Sequence, residues 1–383
     1  MPPLWKSWDL IQLAKTMTKV NVSSYIKSIE PYEGGLPIEE VARELNISEK
    51  DIVKLASNEN PLGISPFAKK AIEKSLIDIE RYPDGNGFYL KKAIGKKYKV
   101  QTSEIILGNG SNDVLELVAR TFLSRDDEAI YSEHAFAVYP LVVKAVGANG
   151  IEVPALNFGH NLDGFKKAIN NKTKVIFIAN PNNPTGTLIS KKEIKNFLNN
   201  IPANIVVVLD EAYDEYLSDE HKSEAFSWLS TYENLIISRS FSKAYGLAGL
   251  RVGFGVGSSY LIEIMNRIRQ PFNVNYLAQQ AAIASLNDDD FILLSKKINS
   301  QGMKQIYEAL DNLNIKYIPS FGNFISFKLE DESQAMLYYH HLLKNGVIVR
   351  PIANYKLPSF LRVSIGLKEE NDKFIKFLSN CNL

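Results

Sequence analysis

The chemistry of this chain centres on Lys243, set in Ser238-Arg-Ser-Phe-Ser-Lys-Ala-Tyr-Gly-Leu-Ala-Gly-Leu-Arg251. An amine attacks a carbonyl only after losing its proton, and small, apolar neighbours with a positive charge nearby make that loss easier. Ser240, Ser242 and Arg251 supply the hydroxyls and planar guanidinium that a phosphate monoester accepts. Together they suit covalent capture of a phosphorylated aldehyde by Lys243. Taken alone, the stretch also reads as a surface lysine in a glycine-rich loop.

Three further groups could complete such a site. Asp210 ends the β-branched run Ile205-Val-Val-Val-Leu209, where a buried carboxylate is costly without a cationic partner; a protonated pyridine nitrogen would be one. A solvated strand end, or a metal-binding acidic pair with Glu211, stays open. Asn180-Pro-Asn-Asn-Pro-Thr-Gly186 follows another apolar run and holds Asn183 in a turn where its amide can meet a ligand oxygen or simply close an Asx turn. Gly108-Asn-Gly110 precedes a helical pattern but lacks the third glycine of a dinucleotide fingerprint, since Asp113 stands there. What it offers is a helix start, with the amides of Gly110, Ser111 and Asn112 open to an anion.

The elements that must position these groups alternate. From Glu104 onward short apolar strands, at Ile105–Leu107, Ala129–Tyr131, Gly150–Val153, Val175–Ala179, Ile205–Leu209, Leu235–Ile237 and Val252–Phe254, are separated by amphipathic helical patterns. That order predicts an α/β layer with a mainly parallel sheet, whose ligands gather at the carboxyl ends of the strands. Earlier, a strand over Ile52–Ala56 and helices over Ser65–Ile77, capped by Ser65, and Phe88–Lys97 are expected. Later, helical patterns at 261–269, 276–285 and 291–313 lead to strands 324–327, 347–349 and 361–365, which predict a smaller α+β lobe. The expected division is an N-terminal extension over 1–20, an arm over 21–60 belonging partly to the small lobe, a large lobe over 61–275 and a small lobe over 276–383.

Composition narrows the function. The 383 residues carry 44 basic and 43 acidic side chains, so no electrostatic footprint for nucleic acid is present and small molecules are the expected partners. Cys381 is the only cysteine, which excludes an internal disulfide framework and fits a reducing, cytoplasmic location. The five histidines have no zinc-type spacing, no metal is expected, and no apolar run reaches membrane-span length.

Seven motifs in order, Pro31-Tyr-Glu-Gly-Gly35, Ser57-Asn-Glu-Asn-Pro-Leu-Gly63, Arg81-Tyr-Pro83, Asn182-Asn-Pro-Thr-Gly186, Asp210-Glu-Ala-Tyr213, Ser240-Phe-Ser-Lys243 and Phe360-Leu-Arg-Val-Ser364, resemble those of the fold-type I pyridoxal-phosphate aminotransferases. The resemblance runs from about Tyr25 to the C-terminus and implies a large, mainly parallel-sheet domain with a smaller α+β domain. It implies that Lys243 bonds pyridoxal 5'-phosphate and later moves the substrate proton, that Asp210 pairs with the ring nitrogen, and that Asn183 and Tyr213 bond the ring oxygen. Phe136 would stack on the ring, or else be a core aromatic on a helix. Gly110, Ser111, Asn112, Ser240, Ser242 and Arg251 would hold the phosphate, with Tyr82 arriving from the neighbouring copy of a homodimer. Arg362 would clamp the carboxylate of the amino donor. Arg350 matches an arginine of the subgroup acting on histidinol phosphate with glutamate and 2-oxoglutarate, although a surface ion pair is its alternative; Tyr32 and Asn58 would complete the substrate contacts. Phe272 stands where some relatives have a tyrosine, and Asn275 is the candidate to compensate. Rival functions are an aromatic amino-acid aminotransferase, a threonine-phosphate decarboxylase and a non-catalytic cofactor sensor.

Overall fold

In the computed structural model, which describes residues 20–32 and 34–381, the expected α/β layer is a seven-stranded sheet. Its strands are β2 (Ile105–Gly108), β3 (Glu128–Ser132), β4 (Asn149–Val153), β5 (Thr173–Ala179), β6 (Val206–Asp210), β7 (Leu235–Ser240) and β8 (Gly253–Gly257), in the order β2-β8-β7-β6-β5-β3-β4. β8 runs antiparallel to both neighbours, and the other pairings are parallel. The period-2 alternation of β5 and β6 divides their side chains between two cores. Ile176, Ile178, Val207 and Leu209 pack on one face, while Val175, Phe177, Val206 and Val208 pack on the other.

Helix Pro66–Ser75 starts as its sequence dictates. Ser65 accepts from the N–H groups of Phe67 and Ala68, and Pro66 takes the first turn. The helix expected from Val114 begins earlier, at Ser111, because Gly110 adopts φ 83° and turns the chain directly into it. Helix Tyr276–Leu286, grouped by sequence with the C-terminal lobe, buries Ala278, Ala281, Ala282 and Leu286 in the core of the large sheet.

Beyond it, helix Asp289–Asn312 leads to a second sheet, β12 (Arg350–Pro351), β13 (Phe360–Ser364), β10 (Phe324–Lys328) and β9 (Lys316–Ile318), in that order. β9 has no counterpart in the sequence reading. The strand expected over 347–349 divides instead into β11 (Val347–Ile348) and β12, which belong to different sheets. β11 pairs in parallel with β1 (Val53–Lys54), joining the N-terminal arm to the C-terminal region; of the strand expected over 52–56 only these two residues pair. The N-terminal extension expected over 1–20 lies outside the described residues except for Val20. Among the described residues no helix is long and apolar enough to cross a membrane.

Candidate active site

A cavity of about 240 Å³ opens at the carboxyl ends of β5, β6 and β7. The first turn of helix Ser111–Phe122 closes one end, and Tyr32, Asn58, Arg350 and Arg362 close the other. Of the expected residues, Ser111, Asn112, Phe136, Asn183, Asp210, Tyr213, Ser240, Ser242, Lys243 and Arg251 also line it. These positions are contributed by five sections of chain that meet only in the fold.

Asp210 is the last residue of β6 and is buried. Its Oδ2 accepts from the Tyr139 hydroxyl at 2.9 Å, and its Oδ1 has no partner. Burial pushes its pKa up to about 6, with the Tyr139 bond, the Ala212 amide and the Lys243 charge pulling back. The open oxygen of a buried carboxylate calls for a cation. The next residue, Glu211, is held by Arg239 at 2.7 Å and by Ser223, so the acidic-pair alternative does not hold. Among the described residues no group of three or more His, Cys, Asp or Glu is arranged for a metal.

Lys243 follows β7 in the loop that returns to β8. Its Nζ donates to the Ser57 carbonyl at 3.1 Å. Burial lowers its pKa to about 8, reinforced by the Arg362 and Arg251 charges and opposed by Glu59 and Asp210. A useful fraction is therefore neutral near physiological pH. Tyr213 lies beside it, with Lys243 Nζ 5.8 Å from its ring centroid. The Tyr213 phenol accepts from Asn58 Nδ2 at 2.9 Å, and burial pushes its pKa up to about 12.

The anion end is a turn that only glycine permits. A Cβ at Gly110 would collide with the Arg251 guanidinium. Arg251 Nη1 donates to Ser242 Oγ at 3.3 Å and to the Ala248 carbonyl at 3.0 Å, while Ser240 Oγ accepts from the Ser242 amide at 3.0 Å. Hydroxyls, a guanidinium and the amides of a twelve-residue helix thus converge as a phosphate requires.

At the opposite end, Arg350 and Arg362 are register partners on β12 and β13. Arg362 is buried; it donates to Asn183 Oδ1 at 2.5 Å and to the Ala56 carbonyl at 2.7 Å, and its Nε has no partner. Arg350 lies over the Tyr32 ring at 5.7 Å. Phe136 precedes helix Val138–Ala145, packs edge-on to Tyr139 at 6.0 Å and reaches the cavity from the edge of the core, so it is not a helical core residue.

Tyr82 is not brought to the cavity. It is 84 % exposed and stacks on Phe272 at 4.8 Å. Asn275 uses its Oδ1 to cap helix Tyr276–Leu286 and one Nδ2 hydrogen on the Leu250 carbonyl. Sequence reasoning missed Tyr139, Glu59, the Ser57 carbonyl and Tyr355, which also lines the cavity. Glu59 and Ser57 lie inside a quoted motif, and Tyr139 follows Phe136 by three, but no local signal marks Tyr355.

The residues present fit pyridoxal phosphate, with an orphaned Asp210 oxygen for the ring nitrogen, a depressed lysine for the aldehyde and the Gly110 turn for the phosphate. The family model for aminotransferase class I and II matches residues 50–378. The histidinol-phosphate aminotransferase of Methylobacillus flagellatus is 57% identical over 355 residues, covering 93% of this chain and 95% of that one. Histidinol-phosphate aminotransferase 2 of Nitrosospira multiformis is 52% identical over 356 residues, covering 93% and 90%. The crystal structure of histidinol-phosphate aminotransferase from Sinorhizobium meliloti in complex with pyridoxal-5'-phosphate superposes with a TM-score of 0.87 at 24% identity, over 95% of this chain and 98% of that one.

Proposed function

The chain belongs to the class I and II aminotransferases, and from that premise we propose that it transfers the amino group of L-histidinol phosphate to 2-oxoglutarate, giving imidazole acetol phosphate and L-glutamate. The observation that carries the substrate choice is the pair Arg350 and Arg362, side by side on adjacent strands at the end of the cavity away from Arg251. Glutamate presents a carboxylate and histidinol phosphate presents a phosphate, and a guanidinium fork suits either group.

Pyridoxal phosphate, when bound, supplies the carbonyl that takes the substrate amine and a ring that withdraws electrons from the neighbouring carbon. The chain's own residues do the rest. Lys243, whose ammonium is destabilised by burial, would take and return the Cα proton of the donor. Asp210 would hold the ring-nitrogen proton with its open Oδ1, while Tyr139 fixes the other carboxylate oxygen. Asn183 and Tyr213 would bond the ring oxygen, Phe136 would cover the ring face, and Gly110, Ser111, Asn112, Ser240, Ser242 and Arg251 would hold the phosphate. Arg362 binds the carboxylate of glutamate through its unpartnered Nε, while Arg350 and Tyr32 face the substrate phosphate. Asn58 lines that end of the cavity, and its side chain also donates to Tyr213 and accepts from Ser364.

The working unit is a homodimer in which Tyr82 completes the phosphate site of the other copy. The exposed Ile77, Ile79, Tyr82 and Phe272 support this reading. We assign the enzyme to the cytoplasm on its single cysteine, with residues 61–275 as the cofactor lobe and 276–383 as the smaller lobe, helix Tyr276–Leu286 packing across that boundary.

Rates with histidinol phosphate, phenylalanine and threonine phosphate, each with 2-oxoglutarate, test the function. Histidinol phosphate is expected to be consumed fastest, with one glutamate formed per turnover and no CO₂. An equal rate on phenylalanine, or CO₂ from threonine phosphate, overturns it.

A further inference from the structure

Asn58 and Ser364 form a closed hydrogen-bond unit beneath Tyr213. The Ser364 hydroxyl accepts from the Asn58 backbone N–H at 2.8 Å and donates to Asn58 Oδ1 at 2.9 Å, and Asn58 Nδ2 donates to the Tyr213 oxygen at 2.9 Å. All three side chains are buried, Asn58 to 1 % exposure. Asn58 sits at φ 56°, a left-handed conformation that brings its amide and side chain to the same strand.

The serine oxygen receives the Asn58 N–H, and its own hydrogen is directed to the carbonyl oxygen of the asparagine side chain. That leaves the amide NH₂ as the group facing Tyr213, and an NH₂ group can only donate. The phenol oxygen therefore accepts on that side, and its hydrogen must point elsewhere, into the cavity. Ser364 lies two residues after Arg362 on β13, on the same side of the strand. Arg362 meanwhile donates to Asn183. One strand of the smaller sheet thus sets both residues that face the ring oxygen.

We propose that Asn58 and Ser364 are positioning residues that fix Tyr213 as a hydrogen-bond donor to the phenolic oxygen of the bound cofactor. The proposal rests on the reading above that places Tyr213 at that oxygen. A donor there stabilises the deprotonated ring oxygen and so keeps the lysine-bound cofactor in its low-pH form only to a lower pH.

The test is the pH midpoint of the visible absorbance band of the holoenzyme, together with cofactor affinity of the apoprotein. Asn58→Gly keeps the left-handed backbone and removes the amide, and should raise the midpoint by about one unit. Asn58→Asp puts an acceptor where the donor was, draws the phenol hydrogen away from the cavity and should shift the midpoint further. In a Tyr213→Phe background Asn58→Gly should add nothing, which a merely structural role would not produce. An unchanged midpoint in Asn58→Gly, or shifts that add fully in the double variant, overturns the proposal. If Tyr213→Phe alone leaves the midpoint unmoved, the placement of Tyr213 at the ring oxygen fails first. Circular dichroism at the assay temperature confirms that each variant is folded when read.

Discussion

Asp210 and Glu211 are neighbours in sequence, both buried at the end of the same strand, and their surroundings are opposite. Glu211 points to a cluster that meets both of its own oxygens, one through Ser223 and one through Arg239. Arg239 reaches Glu211 at 2.7 Å, Asp214 at 2.8 Å and Glu215 at 3.1 Å, and lies over the rings of Tyr98 and Phe226. Asp210 points the other way, into the cavity, with one oxygen held by Tyr139 and the other bare. The strand's alternation separates the two by a single residue. Burial alone therefore does not mark a functional carboxylate, and neither does an open oxygen alone, since Glu215 Oε2 is also buried without a partner; an open oxygen on a carboxylate that lines the cavity does. The chain partners both oxygens of Glu211 itself and leaves one of Asp210 open to the cavity.

Substitutions should break this contrast in a definite order. Lys243→Ala removes the group proposed to bond the cofactor and carry the proton, and turnover should fall by about 10⁴-fold or more, with the visible cofactor band lost; steady-state rates and spectra measure both. Arg239→Met acts on the cluster around Glu211 and should cost about 3–5 kcal/mol in urea unfolding, because it strands three buried carboxylates. Asp210→Asn should lower turnover about a hundredfold or more without destabilising the apoprotein. Its pH signature has a definite sign. The folded-state pKa is raised from 3.8 to about 6, so the stability linked to Asp210 is full below pH 3.8 and is lost as pH rises through 6. Apoprotein melting across that window should fall in the wild type relative to Asp210→Asn. If Asp210→Asn destabilises as strongly as Arg239→Met, the contrast is wrong.

Two smaller effects sharpen it. The rate at which apoprotein takes up cofactor should rise with pH to a midpoint near 8, where Lys243 loses its proton, and fall about tenfold per unit below it; stopped-flow absorbance reads this, and a midpoint near 10 sinks the assignment. Tyr139→Phe keeps the ring stacked on Phe177 but deletes one bond to Asp210. It should lower kcat by about three- to tenfold, with the acidic limb of the pH profile moved upward, since that bond holds the Asp210 pKa down.

Much of the site was legible because its chemistry-bearing residues sit in short runs at strand ends. Lys243, Asp210 and Asn183 each follow an apolar strand, and the Ser65 cap and Gly110 turn follow local rules. The residues that escaped act through partners distant in sequence. Tyr139 lies 71 positions from Asp210, and Asn58 lies 306 from Ser364. No periodicity reports such pairings. Asn58 was expected at the substrate from its motif, but its bonds to Ser364 and Tyr213 could not be read there. The division of 347–351 between two sheets was hidden for the same reason, because hydrophobicity is continuous across a point where pairing partners change.

The reversed direction of β8 has one more consequence. Because it runs against β2 and β7, its beginning lies at their carboxyl ends, with Gly253 opposite both Gly108 and Ser240. Arg251, just before it, thereby meets the Gly110 turn some 140 positions earlier. A chain that extends only through β7 therefore holds the helix start but lacks the strand that brings the guanidinium to it, so this end of the cavity closes only once β8 has paired.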